Sequence, residues 1–178
     1  MPQALQIADQ LCVVAFASLA MVAAYSDWFR FIIPNRVSLA IAGLWVVHAV
    51  LLLLQHHPIV SVAWSAGIGF AILLIGFGLF AANLLGGGDV KLLAAATLWA
   101  PADFITHFIM IVSVAGAALG VIFLVPWIGN RPEESDASNP AAMAAVGRLK
   151  RKMPYGVAIG AGCGAIALKL LNVLPTGG

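Results

Sequence analysis

The chain has 178 residues, of which 62% are hydrophobic and only 9% are charged, and its formal net charge is +2. The mean hydropathy is +1.03, and apolar runs of about 18 residues or more recur along the sequence, each long enough to cross a bilayer. This composition argues against a soluble globular protein and predicts an integral membrane protein.

Hydropathy predicts an all-α fold, a bundle of six transmembrane helices in a single domain over residues 1–178. No cleavable signal peptide is expected, because Met1–Gln10 carries no Lys or Arg and the apolar run that follows is full length. The predicted segments are Leu11–Ser26, Val37–Leu54, Ile59–Leu85, Val90–Ala100, Phe104–Ile128 and Tyr155–Leu174.

The fourth segment decides the topology. Val90–Ala100 rises only about 16 Å as a helix against a hydrocarbon core of about 30 Å, so it either crosses with help from Leu84 onward or is re-entrant. If it crosses, eight basic residues share one face: Arg30, Arg36, Lys91, Arg131, Arg148, Lys150, Arg151 and Lys152. A re-entrant segment would put the last five opposite the first three. The positive-inside rule therefore favours six spans, both termini outside, and a polar cytoplasmic loop at about 129–153.

This topology brings two carboxylates to the same cytoplasmic face. Asp27 ends the first apolar segment, and Asp89 follows Gly86-Gly87-Gly88 at the start of the fourth. A charge at membrane depth costs about 2.5 kcal/mol or more unless it is used or paired. We therefore expect the two side chains to meet and to hold one proton between them, as in aspartic proteases.

The local positions of the two carboxylates suggest different roles. Asp27 follows a last helical turn, whose free carbonyls oppose ionisation, whereas Asp89 opens a helix, whose free N–H groups favour the carboxylate. This predicts Asp27 as the acid and Asp89 as the base that activates water. The three glycines would give backbone freedom and let a neighbouring helix or a substrate backbone approach closely.

Other interpretations of the same residues stay open. Asp27 could be a plain interfacial residue and Asp89 a plain N-cap, in a membrane scaffold without activity. A proton-coupled transporter or channel component would also hold carboxylates in a helical bundle, but it would place polar residues through the membrane depth. The sequence instead indicates acids at helix ends on one face. His48 and His107 lie in or near apolar segments and are interpreted as packing residues.

Three motifs resemble a known family. Gly86-Gly87-Gly88-Asp89-Val90-Lys91 matches the GxGD motif in its GxGDxK form, and Asp27 is followed by Ile33-Pro34-Asn35. Met153-Pro154-Tyr155-Gly156-Val157-Ala158-Ile159 is similar to the Pro-Tyr-Gly stretch that opens the last helix of that family. Together these motifs resemble the type IV prepilin peptidases, which are GxGD intramembrane aspartic proteases.

The resemblance implies an endopeptidase that removes the basic leader of prepilins at the cytoplasmic face of the bacterial inner membrane. It implies Asp27 and Asp89 as the catalytic pair, with Gly86, Gly87, Gly88, Lys91, Pro34 and Asn35 as supporting motif residues. The implied partners are a prepilin with a basic leader and an apolar helix, and membrane lipid. No cofactor, metal or nucleic acid is implied.

The chain departs from the large bifunctional members of that family. Fewer than about ten residues separate Asp27 from Val37, where those members carry a cytoplasmic region with paired Cys-x-x-Cys motifs. The two cysteines, Cys12 and Cys163, are isolated in apolar segments, which leaves zinc binding and a disulfide framework unsupported. The chain therefore resembles the short, peptidase-only Tad/Flp type, without N-methyltransferase activity. An archaeal preflagellin peptidase is the close alternative.

Overall fold

The computed structural model describes residues 2–129 and 154–171 of the chain. These residues form six α-helices and no strand, which confirms the predicted all-α fold class. The helices are α1 (Pro2–Arg30), α2 (Asn35–Leu54), α3 (Ile59–Ala81), α4 (Gly87–Thr97), α5 (Ile105–Gly129) and α6 (Tyr155–Leu170).

The helix bounds differ from the hydropathy segments mainly at polar ends. The first helix extends beyond Leu11–Ser26 in both directions, because hydropathy detects the apolar part of a helix and misses polar turns that continue it. The third helix ends at Ala81 rather than Leu85, since Asn83 adopts a left-handed conformation with φ 59°. The fourth begins and ends three residues earlier than Val90–Ala100.

Four of the described helices, α1, α2, α3 and α5, are long and apolar enough to cross a membrane. α4 has only 11 residues, and α6 is a shorter apolar helix of 16 residues. The described residues therefore confirm a helical membrane protein. The count of six spans and the outside position of both termini remain predictions.

The helix directions alternate along the chain. At one end, Lys91 of α4 donates a hydrogen bond to Asn35 of α2, and the start of α6 contacts Asp27 near the end of α1. At the other end, Lys169 of α6 pairs with Asp103, which precedes α5. α4 therefore leads away from the Asp27 end and α5 returns to it, which is the arrangement expected if the fourth segment crosses.

The core lies where α6 packs against α1 and α4. Phe16 of α1 stacks on Trp99, the residue that follows the end of α4 by two positions, with ring centroids 4.5 Å apart. On the α1–α6 side, a Cβ on Gly160 would lie 2.9 Å from the Cβ of Ala24, so the glycine permits a close helix approach. The polar loop predicted at about 129–153 lies outside the described residues, apart from Gly129.

Candidate active site

Asp27 lies in the last turn of α1, where the helix continues one turn past the predicted Ser26. Phe31 then ends the helix in a left-handed conformation, φ 51°, and a four-residue connection that ends with Pro34, the N-cap, leads into α2. The Asp27 side chain is only 4% exposed. Its Oδ2 accepts a hydrogen bond from the backbone N–H of Gly156, with the two atoms 2.6 Å apart.

Gly156 is the second residue of α6, so the Asp27 carboxylate lies at a helix N-terminus as well as at the end of its own helix. A Cβ on Gly156 would be 2.9 Å from both Cβ and Oδ2 of Asp27. Only glycine fits here without displacing the carboxylate. The Pro-Tyr-Gly motif thus positions Asp27 through its glycine, a role that sequence analysis did not assign to Gly156.

Asp89 is the third residue of α4, and Gly86 rather than Asp89 is the N-cap. The Asp89 carboxylate is half-buried and accepts a hydrogen bond from the backbone of Gly86. An acid at this position that reaches back to the N-cap amide forms one half of a capping box. The alternative in which Asp89 is a plain N-cap therefore does not hold, because Gly86 is the N-cap, while Asp89 does lie at the helix start as predicted.

The three glycines are needed for close approach and not for unusual backbone angles, because none of them has a positive φ. A Cβ on Gly86 would lie 2.6 Å from Oδ2 of Asp89, and one on Gly88 would lie 3.3 Å from the Cβ of Ile33. The Gly87 position faces the ring of Phe80, again at 3.3 Å. The glycines therefore let α4 start directly against the α1–α2 connection and the end of α3.

The structure places the two carboxylates near each other, so that the charge of Asp27 acts on Asp89. The structure does not support the reason for which Asp27 was predicted to be the acid and Asp89 the base. That reason placed Asp27 among free carbonyls, whereas its Oδ2 receives the N–H of Gly156. Both carboxylates accept a hydrogen bond from a backbone amide at a helix N-terminus, so this contact does not distinguish one from the other.

The supporting residues lie beside the pair and contact one another. Lys91 Nζ donates to Asn35 Oδ1 over 3.0 Å, and Pro34 is the N-cap of α2. The side-chain oxygen of Asn35 is therefore engaged by Lys91. Lys91 and Asp89 point to different sides of α4, as their spacing of two residues predicts.

A third acid, Asp9, occupies the other end of the molecule and was missed by sequence analysis. Its Oδ1 lies 2.6 Å from Nδ1 of buried His48, and the imidazole stacks on Trp99 with centroids 4.8 Å apart. The packing role predicted for His48 fits this arrangement. The expectation that acids are confined to helix ends on one face is wrong, because Asp9 lies in α1 five turns before Asp27.

The fold and this site define a class: a helical membrane protein with two neighbouring carboxylates, each of which accepts a hydrogen bond from the backbone of a glycine. The model of the type IV leader peptidase family matches residues 14–121, a stretch that contains Asp27 and Asp89 and covers more than half of the chain. The chain belongs to the type IV leader peptidase family and is a peptidase of that kind. No curated protein and no solved structure matches it significantly.

Proposed function

We propose that the protein is an intramembrane aspartic endopeptidase that removes the leader of a Flp-type prepilin. The observation that supports this proposal is that Asp27 and Asp89 lie near enough to interact electrostatically, each with a hydrogen bond from a backbone amide at a helix start. Two carboxylates that share one proton supply a base and an acid together. Within a leader peptidase family, this is the chemistry that hydrolysis of a peptide bond requires.

In the proposed reaction, the charged carboxylate takes a proton from a water molecule, and the resulting hydroxide attacks the scissile carbonyl carbon. The protonated carboxyl group donates its proton to the carbonyl oxygen. When the tetrahedral intermediate collapses, the carboxyl group that took a proton from water gives that proton to the leaving nitrogen, and the other carboxylate takes a proton back from a hydroxyl of the intermediate, which restores the pair. The pair titrates as one unit. We therefore assign the two roles to the pair and not to one residue each.

We place the site at the cytoplasmic face of the bacterial inner membrane. Arg30, Arg36 and Lys91 lie at the ends of α1, α2 and α4 that meet beside the carboxylates, and the positive-inside rule puts such an end in the cytoplasm. The catalytic domain in this proposal is the whole chain. The four-residue connection between α1 and α2 supports cleavage without N-methylation, since bifunctional relatives carry an additional region there.

A proton-coupled transporter remains the second candidate because of the Asp9–His48 pair, which adds a buried polar group at the far end of the bundle. Transport would require polar groups that connect this pair to Asp27. Trp99 instead stacks on both His48 and Phe16, and Phe16 and Trp99 belong to the apolar core. This packing favours hydrolysis.

The test is co-expression of the chain with a Flp-type prepilin, with leader loss followed for Asp27→Asn and Asp89→Asn separately. We expect each variant to lose about 10²-fold or more of the cleavage rate, the range of positioned acid–base catalysis. The matched control is Asp103→Asn, an acid at the opposite end that should cleave normally. Full cleavage by either catalytic-pair variant contradicts the mechanism, and one added methyl group on the new pilin terminus, detected by mass, contradicts peptidase-only activity.

A further inference from the structure

A cavity of about 600 Å³ forms a groove between α2 and α3, with α4 as its floor. Each of the three helices lines the groove with four residues at the spacing i, i+3, i+4 and i+7, which corresponds to one helix face. The three sets begin at Asn35, Ala66 and Lys91. Seven residues of helix correspond to about 10 Å. The groove is thus two helical turns long, and Leu39 and Phe70, 74% and 61% exposed, form part of its open side.

The walls of the groove fit an apolar helix. Small side chains, among them Ala42, Ala66 and Ala95, line it, and small residues are the ones that let another helix approach closely in a membrane. An occupant in lipid must satisfy its own backbone hydrogen bonds, which a helix does. A single membrane-embedded helix therefore matches both the shape and the chemistry of the groove.

Ser38 indicates that the groove receives a polar group as well. The side chain lines the groove and is only 6% exposed, yet its Oγ has no hydrogen-bond partner among the described residues. Ser18 and Thr97, by contrast, donate to carbonyls of their own helices over 2.9 and 2.8 Å. A buried hydroxyl without a partner is costly, so its position in an open groove points to a ligand.

The polar end of the groove is formed by Asn35 and Lys91. The Lys91 ammonium has three donors, of which one is used on the neutral oxygen of Asn35. Backbone carbonyls of an extended segment that precedes a helix need such donors at the membrane surface. The polar end therefore suits the point where the occupant changes from helix to extended chain.

The groove and the carboxylates lie on opposite sides of the first turn of α4, because residues two positions apart do not share a helix face. A chain leaving the groove at Lys91 reaches Asp89 by passing the helix start at Gly86-Gly87-Gly88, where no side chains project. The path across a helix is about 10 Å, which about three or four extended residues span.

We propose that this groove binds the apolar substrate helix that follows the scissile bond, with its polar start on Asn35, Ser38 and Lys91. The inference rests on the proposed function and deepens it by naming the substrate subsite. The extended residues that cross the start of α4 would carry the scissile bond to Asp27 and Asp89.

Site-specific photo-crosslinking tests the groove without requiring cleavage. A photoreactive phenylalanine analogue is placed at Leu39 or Phe70 in the Asp27→Asn protein, with Val114, a lipid-exposed residue of α5, as the matched control. We expect adducts with the Flp-type prepilin from Leu39 and Phe70 and none from Val114. Equal adducts from Val114, or groove adducts only with lipid or a second copy, overturn the proposal. Groove adducts with a parent that does not cleave would leave the groove supported and the proposed function refuted.

Filling the groove tests it in the active protein. Ala42→Trp should lower kcat/KM on the full prepilin at least about tenfold by excluding the helix, whereas Ala40→Trp, on an exposed face of the same helix outside the groove, should not. Ser38→Ala provides a smaller change: loss of one hydrogen bond should raise KM about two- to tenfold with much less effect on kcat. Equal effects of the two tryptophans, or an unchanged KM for Ser38→Ala in a folded protein, overturn the proposal.

Discussion

Carboxylates lie within helices at both ends of this helix bundle, in opposite settings. Asp9 contacts the imidazole of His48 at 2.6 Å, and aromatic packing surrounds that imidazole. Asp27 instead accepts a backbone N–H from Gly156 and has Asp89, another acid, nearby. A carboxylate that is paired with a basic side chain has its charge compensated, and such a pair stabilises the packing of the helices. Two neighbouring carboxylates without a basic partner between them are held by the fold against their own repulsion, so this end of the bundle is the one available for chemistry.

Gly156→Ala should give the largest change at the Asp27 end. The new Cβ would lie 2.9 Å from Oδ2 and Cβ of Asp27, so the carboxylate must move, and a shift of about 1 Å can cost about 10²-fold in rate. The measurement is the rate of leader loss from the prepilin, beside the thermal unfolding temperature.

The matched control for this change lies on the same helix. A Cβ on Gly164 would have no neighbouring atom within 4 Å, so Gly164→Ala should cleave at the parental rate. Equal losses in both variants would show that α6 tolerates no alanine and would remove Gly156 as a positioning residue.

His48→Ala should affect stability at the other end and leave chemistry intact. The substitution leaves Asp9, 22% exposed at its side chain, without its partner and removes a ring stacked on Trp99. We expect a loss of about 1–3 kcal/mol in the free energy of unfolding with kcat retained. Purified protein in detergent gives both values. A large drop in kcat at unchanged stability would mean that this pair takes part in proton movement, as in the transporter alternative.

Gly76→Ala tests the packing that places α4 and hence Asp89. A Cβ there would meet Cγ1 of Val90 at 2.7 Å, and overpacking of this kind costs about 1–3 kcal/mol. Gly78→Ala, two residues further along α3, meets nothing within 4 Å and should be neutral or up to about 1 kcal/mol stabilising. The unfolding temperatures of the two variants measure this difference. Equal unfolding temperatures for Gly76→Ala and Gly78→Ala would contradict the close contact between Gly76 and Val90.

Much of this architecture could be predicted from sequence because the membrane makes hydropathy a strong signal. The all-α class and the positions of the six helices followed from apolar runs, and the motifs around Asp27 and Asp89 led to the family that the comparison then matched. The ends of α1 and α3 were missed because their last turns are decided by local backbone geometry, such as the left-handed Phe31 and Asn83.

The environment of Asp27 could not be predicted from its own helix. Sequence position placed it near free carbonyls, but the contact that matters comes from Gly156, 129 residues later in the chain. Asp9 was missed for a related reason, since its partner His48 lies on another helix. Long-range contacts decide the electrostatics of a buried acid, and a single sequence does not show them.

The central claim is that Asp27 and Asp89 act as one catalytic unit. It is tested most directly by the cleavage rates of Asp27→Asn, Asp89→Asn and the double variant, measured on purified protein with one prepilin. Residues that act as a unit are strongly non-additive, so the double variant should be no slower than the slower single variant. Single losses that multiply in the double variant would mean independent contributions and would contradict the account.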